Sequence, residues 1–243
     1  MSLTETNSAE VKGMVDGLFA APAAEAAQAA AAKIVDGGLG VVKGTNVVGL
    51  LKDGANNKKS KEAREGALLL CAALADSKAR VLEPVLAEVF GLALELLGDK
   101  QKNVQVAADA AVNAIVKAIQ PHACVPANYL PALIEALKSS KWQTKVTALK
   151  TIASLSKTSP KQVAEVMPDI LPNITDLLFD TKVDVCKAAK ASMTDICSVI
   201  DNRDIEPFVP HLVSAMSNPE EVSECIQQLA ATTFVQIVAR AEL

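Results

Sequence analysis

The chain is 243 residues long, half of them apolar and only 3% aromatic, with 11 Gly, 11 Pro and a formal net charge of −4. The apolar content excludes intrinsic disorder, the modest Gly and Pro content excludes a fibrous chain, and the negative charge excludes a surface given over as a whole to nucleic acid. A core so poor in rings has to be built from Ala, Val, Leu and Ile, which suits helices packed at close range.

The first 19 residues carry acidic groups, and no Arg occurs before Arg64, unlike a secretory signal or an Arg-rich transit peptide. Ala9 to Phe19 and Pro22 to Val35, ending at Gly37-Gly38, read as an atypical helix pair occupying residues 1–40. Val47 to Lys52 and Lys61 to Ala75, joined by the Gly54 to Ser60 turn, form a weaker pair within 41–78. The longest apolar stretch, Gly66 to Ala75, is about half of the roughly 20 residues needed to cross a bilayer. A soluble cytoplasmic chain without a membrane partner is expected.

From Ala79 onward the pattern repeats. Pro131, Pro172 and Pro210 each open an apolar run (Tyr129 to Leu137, Ile170 to Leu178, Phe208 to Met216), at intervals of 41 and 38 residues. Proline is tolerated in the first turn of a helix, where its missing N–H costs nothing. Each run therefore reads as a first helix, followed by a polar turn and a second helix. Glu83-Pro84 to Leu97, with its turn at Gly98-Asp99-Lys100, is an earlier copy. The second helices share small apolar positions: Val104, Ala107, Ala108, Ala111, Val112 and Ile115 match Val185, Ala188, Ala189, Ser192, Met193 and Ile196 two repeats later. A period near 40 belongs to HEAT and armadillo arrays. The predicted fold is all-α, a right-handed α-solenoid of about five to six HEAT-type helix pairs in one domain over 1–243, with clearer repeats at 79–120, 121–160, 161–203 and 204–243.

Candidate chemistry is sparse. Five cysteines, with no CxxC pair, and two histidines (His122, His211) offer no metal site or cofactor site, so the cysteines read as buried, reduced thiols. Cys186 and Cys197 lie three turns apart on one predicted helix and cannot form a disulfide with each other. Neither histidine stands in a nucleophile motif, and Asp180 and Asp184 read as helix-capping groups rather than an acid/base pair. No catalytic residue is assigned, and the chain is read as a non-catalytic scaffold.

Four ordered blocks carry a more specific signal. Lys141-Trp142-Gln143-Thr144-Lys145 resembles the lysine-tryptophan-glutamine segment in the N-terminal HEAT region of fungal-type translation elongation factor three. Met167 to Pro172 with Asp180-Thr181-Lys182, Asp201 to Glu206, and Ala231 to Val235 resemble the same family in the same order. The resemblance runs from about Ala79 to the end. It implies a soluble ATPase of two ABC cassettes that helps release deacylated tRNA from the ribosomal exit site, with the HEAT array gripping the small subunit. The general-control activator family has a related segment but fits less well, because here the segment lies close to Met1. The chain departs from the family in lacking any G-x-x-x-x-G-K-[ST] phosphate loop, so ATP hydrolysis is not expected of these residues. Either a fragment of a longer protein or a short relative fits.

A ribosome offers RNA phosphate, which Lys and Arg neutralise, and stacked repeats align equivalent turn residues. Lys100, Lys141 and Lys182 lie 41 residues apart, each in a turn between first and second helices, and are expected to align. Lys102, Lys145 and Arg203 flank that row, and Trp142 adds a stacking face. The competing reading leaves the lysines merely solvated and packs Trp142 between repeats. Lys58, Lys59 and Lys61 with Arg64 form a second basic cluster, again open to a solvated-turn reading. Expected partners are therefore ribosomal RNA and ribosomal proteins, with the chain a monomer. The alternative is a generic protein-binding HEAT adaptor unrelated to translation.

Overall fold

The computed structural model describes residues 3–119 and 128–199. The fourth clear repeat, its Pro210 run, Arg203, both histidines, and the last two resemblance blocks lie outside them.

Helix signals in the sequence account for most element boundaries. Helix α1 spans Leu3–Ala20, α2 Ala24–Gly44, α3 Val47–Ala55 and α4 Lys61–Asp76. A 3-10 turn at Arg80–Leu82 leads into α5, Glu83–Leu96, and α6 spans Lys102–Ala118. After the gap come α7 (Leu130–Leu137), α8 (Trp142–Thr158), a one-and-a-half-turn α9 (Pro160–Glu165), α10 (Met167–Leu177) and α11 (Val183–Val199). No strand occurs among the described residues. Pro84 and Pro131 sit in the first turns of α5 and α7, and Ser60 caps α4 by accepting from the Ala63 N–H at 3.0 Å.

Two expectations change. The Gly37-Gly38 pair does not end α2; Gly38 adopts φ 57°, ψ −154°, and the helix resumes to Gly44 beyond the kink. Only glycine takes that backbone conformation without strain, and resuming the helix buries Val41 and Val42. Nor does Pro172 begin its helix: α10 starts at Met167 with Pro168 in the first turn, leaving Pro172 inside. The Asn173 side-chain amide donates to the Asp169 carbonyl at 2.6 Å and the Thr175 hydroxyl to the Leu171 carbonyl at 2.9 Å, on the two sides of the proline.

The chain falls into two compact units, Met1–Ala123 and Cys124–Leu243. In the first, α2, α4 and α6 pack in series, and α3 packs on both α4 and α5. Ala30, Ile34, Ala67, Leu70, Leu74, Phe90, Ala108, Val112 and Ile115 are all fully buried there. In the second, α8 packs on α11 and α7 on α10. Leu133, Ala148, Leu149, Ile152, Ile174, Val185, Ala189 and Ile196 fill its core. Second helix against second helix and first against first is how HEAT pairs stack, and the alanines on the second helices are what let them approach. Each unit thus buries one face of its described pairs against their neighbours, the arrangement that gives repeat proteins their stability.

No single helix among the described residues is long and apolar enough to cross a membrane, and the bent α2–α3 pair, angled at 86°, buries Ala30, Ile34, Val41, Val47 and Leu51 in the first unit's core.

Candidate functional site

The candidate residues lie in the turns between first and second helices, and three of those turns among the described residues are built alike. The turn opens with an acceptor side chain that takes the backbone N–H two residues on. Asp99 Oδ1 accepts from Gln101 N at 2.8 Å, Ser139 Oγ from Lys141 N at 3.2 Å, and Asp180 Oδ1 from Lys182 N at 2.9 Å. Six residues after each aspartate, a side chain in the next helix reaches back to that aspartate's carbonyl: Gln105 Nε2 to Asp99 O at 2.6 Å, and Cys186 Sγ to Asp180 O at 2.9 Å. These bonds satisfy groups that a sharp turn leaves without helical partners.

This hydrogen bonding fixes the register of the lysines. Lys141 and Lys182 occupy the same place, the residue just before the second helix, with their side chains exposed. Lys100 does not; its place is that of Ser140 and Thr181, and Gln101 stands where the other two lysines are. The uniform spacing of 41 hid this, because the structural step from Asp99 to Ser139 is one residue shorter than the step from Ser139 to Asp180. Lys100 and Lys102 are both exposed, in the first unit.

Lys145 is spent differently. Its Nζ lies 2.6 Å from Asp180 Oδ2, and the two side chains are 19% and 12% exposed. The ammonium and the Lys182 N–H together hold the Asp180 carboxyl below the ordinary carboxylate range. The first unit contains the same device. Arg64, in the first turn of α4, places Nε 3.0 Å from Asp99 Oδ2 and donates from Nη2 to Oδ1 at 3.3 Å. In both units the cation and the aspartate are 35 residues apart, and the two clamps are 81 residues apart, two repeats. Each clamp ties one second helix to the following turn. Arg64 also donates to the Asn57 carbonyl at 2.7 Å and to the Ser60 carbonyl at 3.2 Å, so it belongs to the packing and not to an open basic patch. Lys58, Lys59 and Lys61 beside it are exposed.

Trp142 is 39% exposed at the start of α8, so the competing reading, in which it packs away between repeats, does not hold. Cys71 is buried, with its thiol pushed up to about 12 by desolvation, which makes it inert as a nucleophile at neutral pH. No group of three or more metal-ligating side chains occurs among the described residues.

A family model described as the EF3 N-terminal HEAT repeat matches residues 23–193. The chain belongs to the elongation factor 3 N-terminal HEAT family. The match begins well before Ala79, so α2 and the α3–α4 pair are part of the family region. Elongation factor 3 of Gonapodya prolifera is 36% identical over 236 residues, 95% of this chain and 21% of that protein. Elongation factor 3 of Phytophthora infestans is 43% identical over 166 residues, 68% of this chain and 16% of that protein. The mRNA export factor elf1 of Schizosaccharomyces pombe is 36% identical over 205 residues, 84% of this chain and 19% of that protein. The chain thus spans about a fifth of the length of these elongation factor 3 family relatives. Among solved structures, Kap121p superimposes with a TM-score of 0.53 at 18% identity, covering 95% of this chain and 25% of that one. A chain solved in work on microtubule plus end tracking by XMAP215, CLIP-170 and EB1 gives 0.57 at 15% identity, covering 79% of this chain and 74% of that one. Both show the solenoid fold alone.

Proposed function

We propose that this elongation factor 3 HEAT region is a non-catalytic docking platform that binds the ribosome, as part of a cytoplasmic ATPase that aids tRNA release from the exit site. Family membership supports the translation setting, and the exposed lysines at equivalent turn positions, Lys141 and Lys182, carry the contact. A phosphate backbone is met by regularly spaced cations, and two lysines one repeat apart on a rigid corner supply them without the ordering cost of a loose tail. Lys100 and Lys102, at other places in the α5–α6 turn, add two exposed charges in the first unit. Lys145, neutralised by Asp180, sets the corner and leaves the contact to its neighbours.

The test is co-sedimentation of the 243-residue chain with ribosomes across a salt series. Lys141→Glu with Lys182→Glu is expected to weaken binding at least ten-fold at low salt and to flatten the salt dependence, since each lost phosphate contact removes about 0.7–0.9 from the log–log slope. Unchanged binding overturns the assignment. The relation to an mRNA export factor supports a second reading, a protein-binding adaptor outside translation; under it the wild-type chain does not pellet with ribosomes at any salt.

A further inference from the structure

In the second unit, every large apolar side chain that stands exposed among the described residues falls at one corner: Trp142 (39%), Phe179 (50%) and Val183 (66%). Trp142 and Val183 are the first residues of α8 and α11, equivalent positions in successive repeats, and Phe179 immediately precedes Asp180. The Lys145–Asp180 pair at 2.6 Å ties the start of α8 to the α10–α11 turn, so all three residues lie within three positions in sequence of one clamp. Residues three apart on a helix share a face, which places Trp142 beside Lys145. The repeat does not demand an apolar corner. At the α5–α6 turn the equivalent of Phe179 is Gly98, the first residue of the second helix is Lys102, and the same Asp99 clamp closes over them. The first unit's exposed apolar residues, Leu39, Val81 and Val106, lie instead on three separate elements.

Charge around the corner is mostly basic. Within four positions of Trp142, Phe179 or Val183 the exposed ionised side chains are Lys138, Lys141, Lys182 and Lys187 against Asp176 and Asp184, on a chain whose net charge is −4. An apolar centre held on a neutralised ion pair, with a polar and mostly basic rim, is the anatomy of a protein-binding hot spot. Val183, the most exposed of the three, has no π face, so the corner is not built for base stacking alone. We propose that the Trp142–Phe179–Val183 corner binds an acidic protein segment that inserts aromatic or branched aliphatic side chains. This goes beyond ribosomal RNA contact by the lysines and stands without it.

Trp142 is the only tryptophan in the chain and reports its own occupancy. The full chain is titrated with a 12-residue Asp/Glu peptide carrying two Phe and two Leu at helical spacing, with an Asp/Glu-only peptide of equal charge, and with oligo(U) of equal charge. Indole emission and the anisotropy of labelled ligand are read together. The expected result is a saturable blue shift with the apolar-bearing peptide and at least ten-fold weaker binding of the Asp/Glu-only peptide. Phe179→Ser or Val183→Ser should weaken the first peptide about ten-fold, and Lys138→Glu with Lys182→Glu several-fold at low salt, with the helical circular dichroism unchanged. Failure of the apolar-bearing peptide to bind or to shift the emission overturns the proposal. So does tighter oligo(U) binding that quenches Trp142 and is lost in Phe179→Ser, which would give the corner to RNA.

Discussion

Asp180 does three things at once: it accepts the Lys182 N–H, it pairs with the Lys145 ammonium, and its carbonyl takes the Cys186 thiol. Asp180→Ala removes the acceptor that closes the turn on the Lys182 N–H and leaves Lys145 without its counter-ion, and is expected to cost about 1–2 kcal/mol in urea unfolding, mostly from that hydrogen bond. Because the folded-state carboxyl titrates below its unfolded value, its contribution is complete above the unfolded pKa, about 3.9, and disappears as pH falls through the folded value. The stability difference between wild type and Asp180→Asn, measured by urea titration at several pH values, should therefore narrow below pH about 4. A constant gap down to pH 2 would mean the carboxylate charge contributes nothing. Much of this was hidden in the sequence. Lys145 and Arg64 look like surface cations until the 35-residue step to an aspartate is seen, because one-dimensional charge patterns do not reveal which neighbour across a repeat a side chain meets. Trp142 stayed open between an exposed stacking face and packing between repeats for a related reason: aromatic residues are usually buried, and nothing local says that this one stands at a corner.

The helices themselves were far more legible, since apolar spacing, capping Ser60 and first-turn Pro84 and Pro131 act locally. Pro172 misled because Pro168, four residues earlier, holds the first-turn place, and the Gly37-Gly38 pair because packing prevailed over local propensity. The α10 helix tolerates an interior proline, and α2 runs through a glycine kink to bury Val41 and Val42. Close approach of elements fixes another glycine. A Cβ on Gly66 would meet the backbone oxygen of Leu18 at 2.7 Å, so α4 lies against the end of α1 only because that position has no side chain. Gly66→Ala should destabilise by about 1–3 kcal/mol, as overpacking does. Gly13→Ala, on an α1 position with open space around it, should instead stabilise by about 0.5–1 kcal/mol through helix propensity and the entropy of the unfolded chain. Paired thermal melts compare the two, and opposite signs are required.

The repeat period near 40 announced a solenoid before any coordinate was known, whereas the one-residue shift of Lys100 needed the hydrogen bonds of the turns. What the whole molecule adds is locality. In a repeat array each unit packs on its neighbours, so stability is close to a sum of near-neighbour terms and a lesion should be felt where it is made. The two clamps test this, because Arg64–Asp99 belongs to the first unit and Lys145–Asp180 to the second. In native-state hydrogen exchange, Asp180→Ala should lower amide protection in α8, α10 and α11 while leaving α4 and α6 unchanged. Asp99→Ala should do the reverse. If either substitution lowers protection equally in both units, the chain unfolds as one cooperative block, and the corners cannot be tuned one at a time. If the effects stay apart, the basic turn positions and the apolar corner are free to vary independently on a scaffold that pays for each locally.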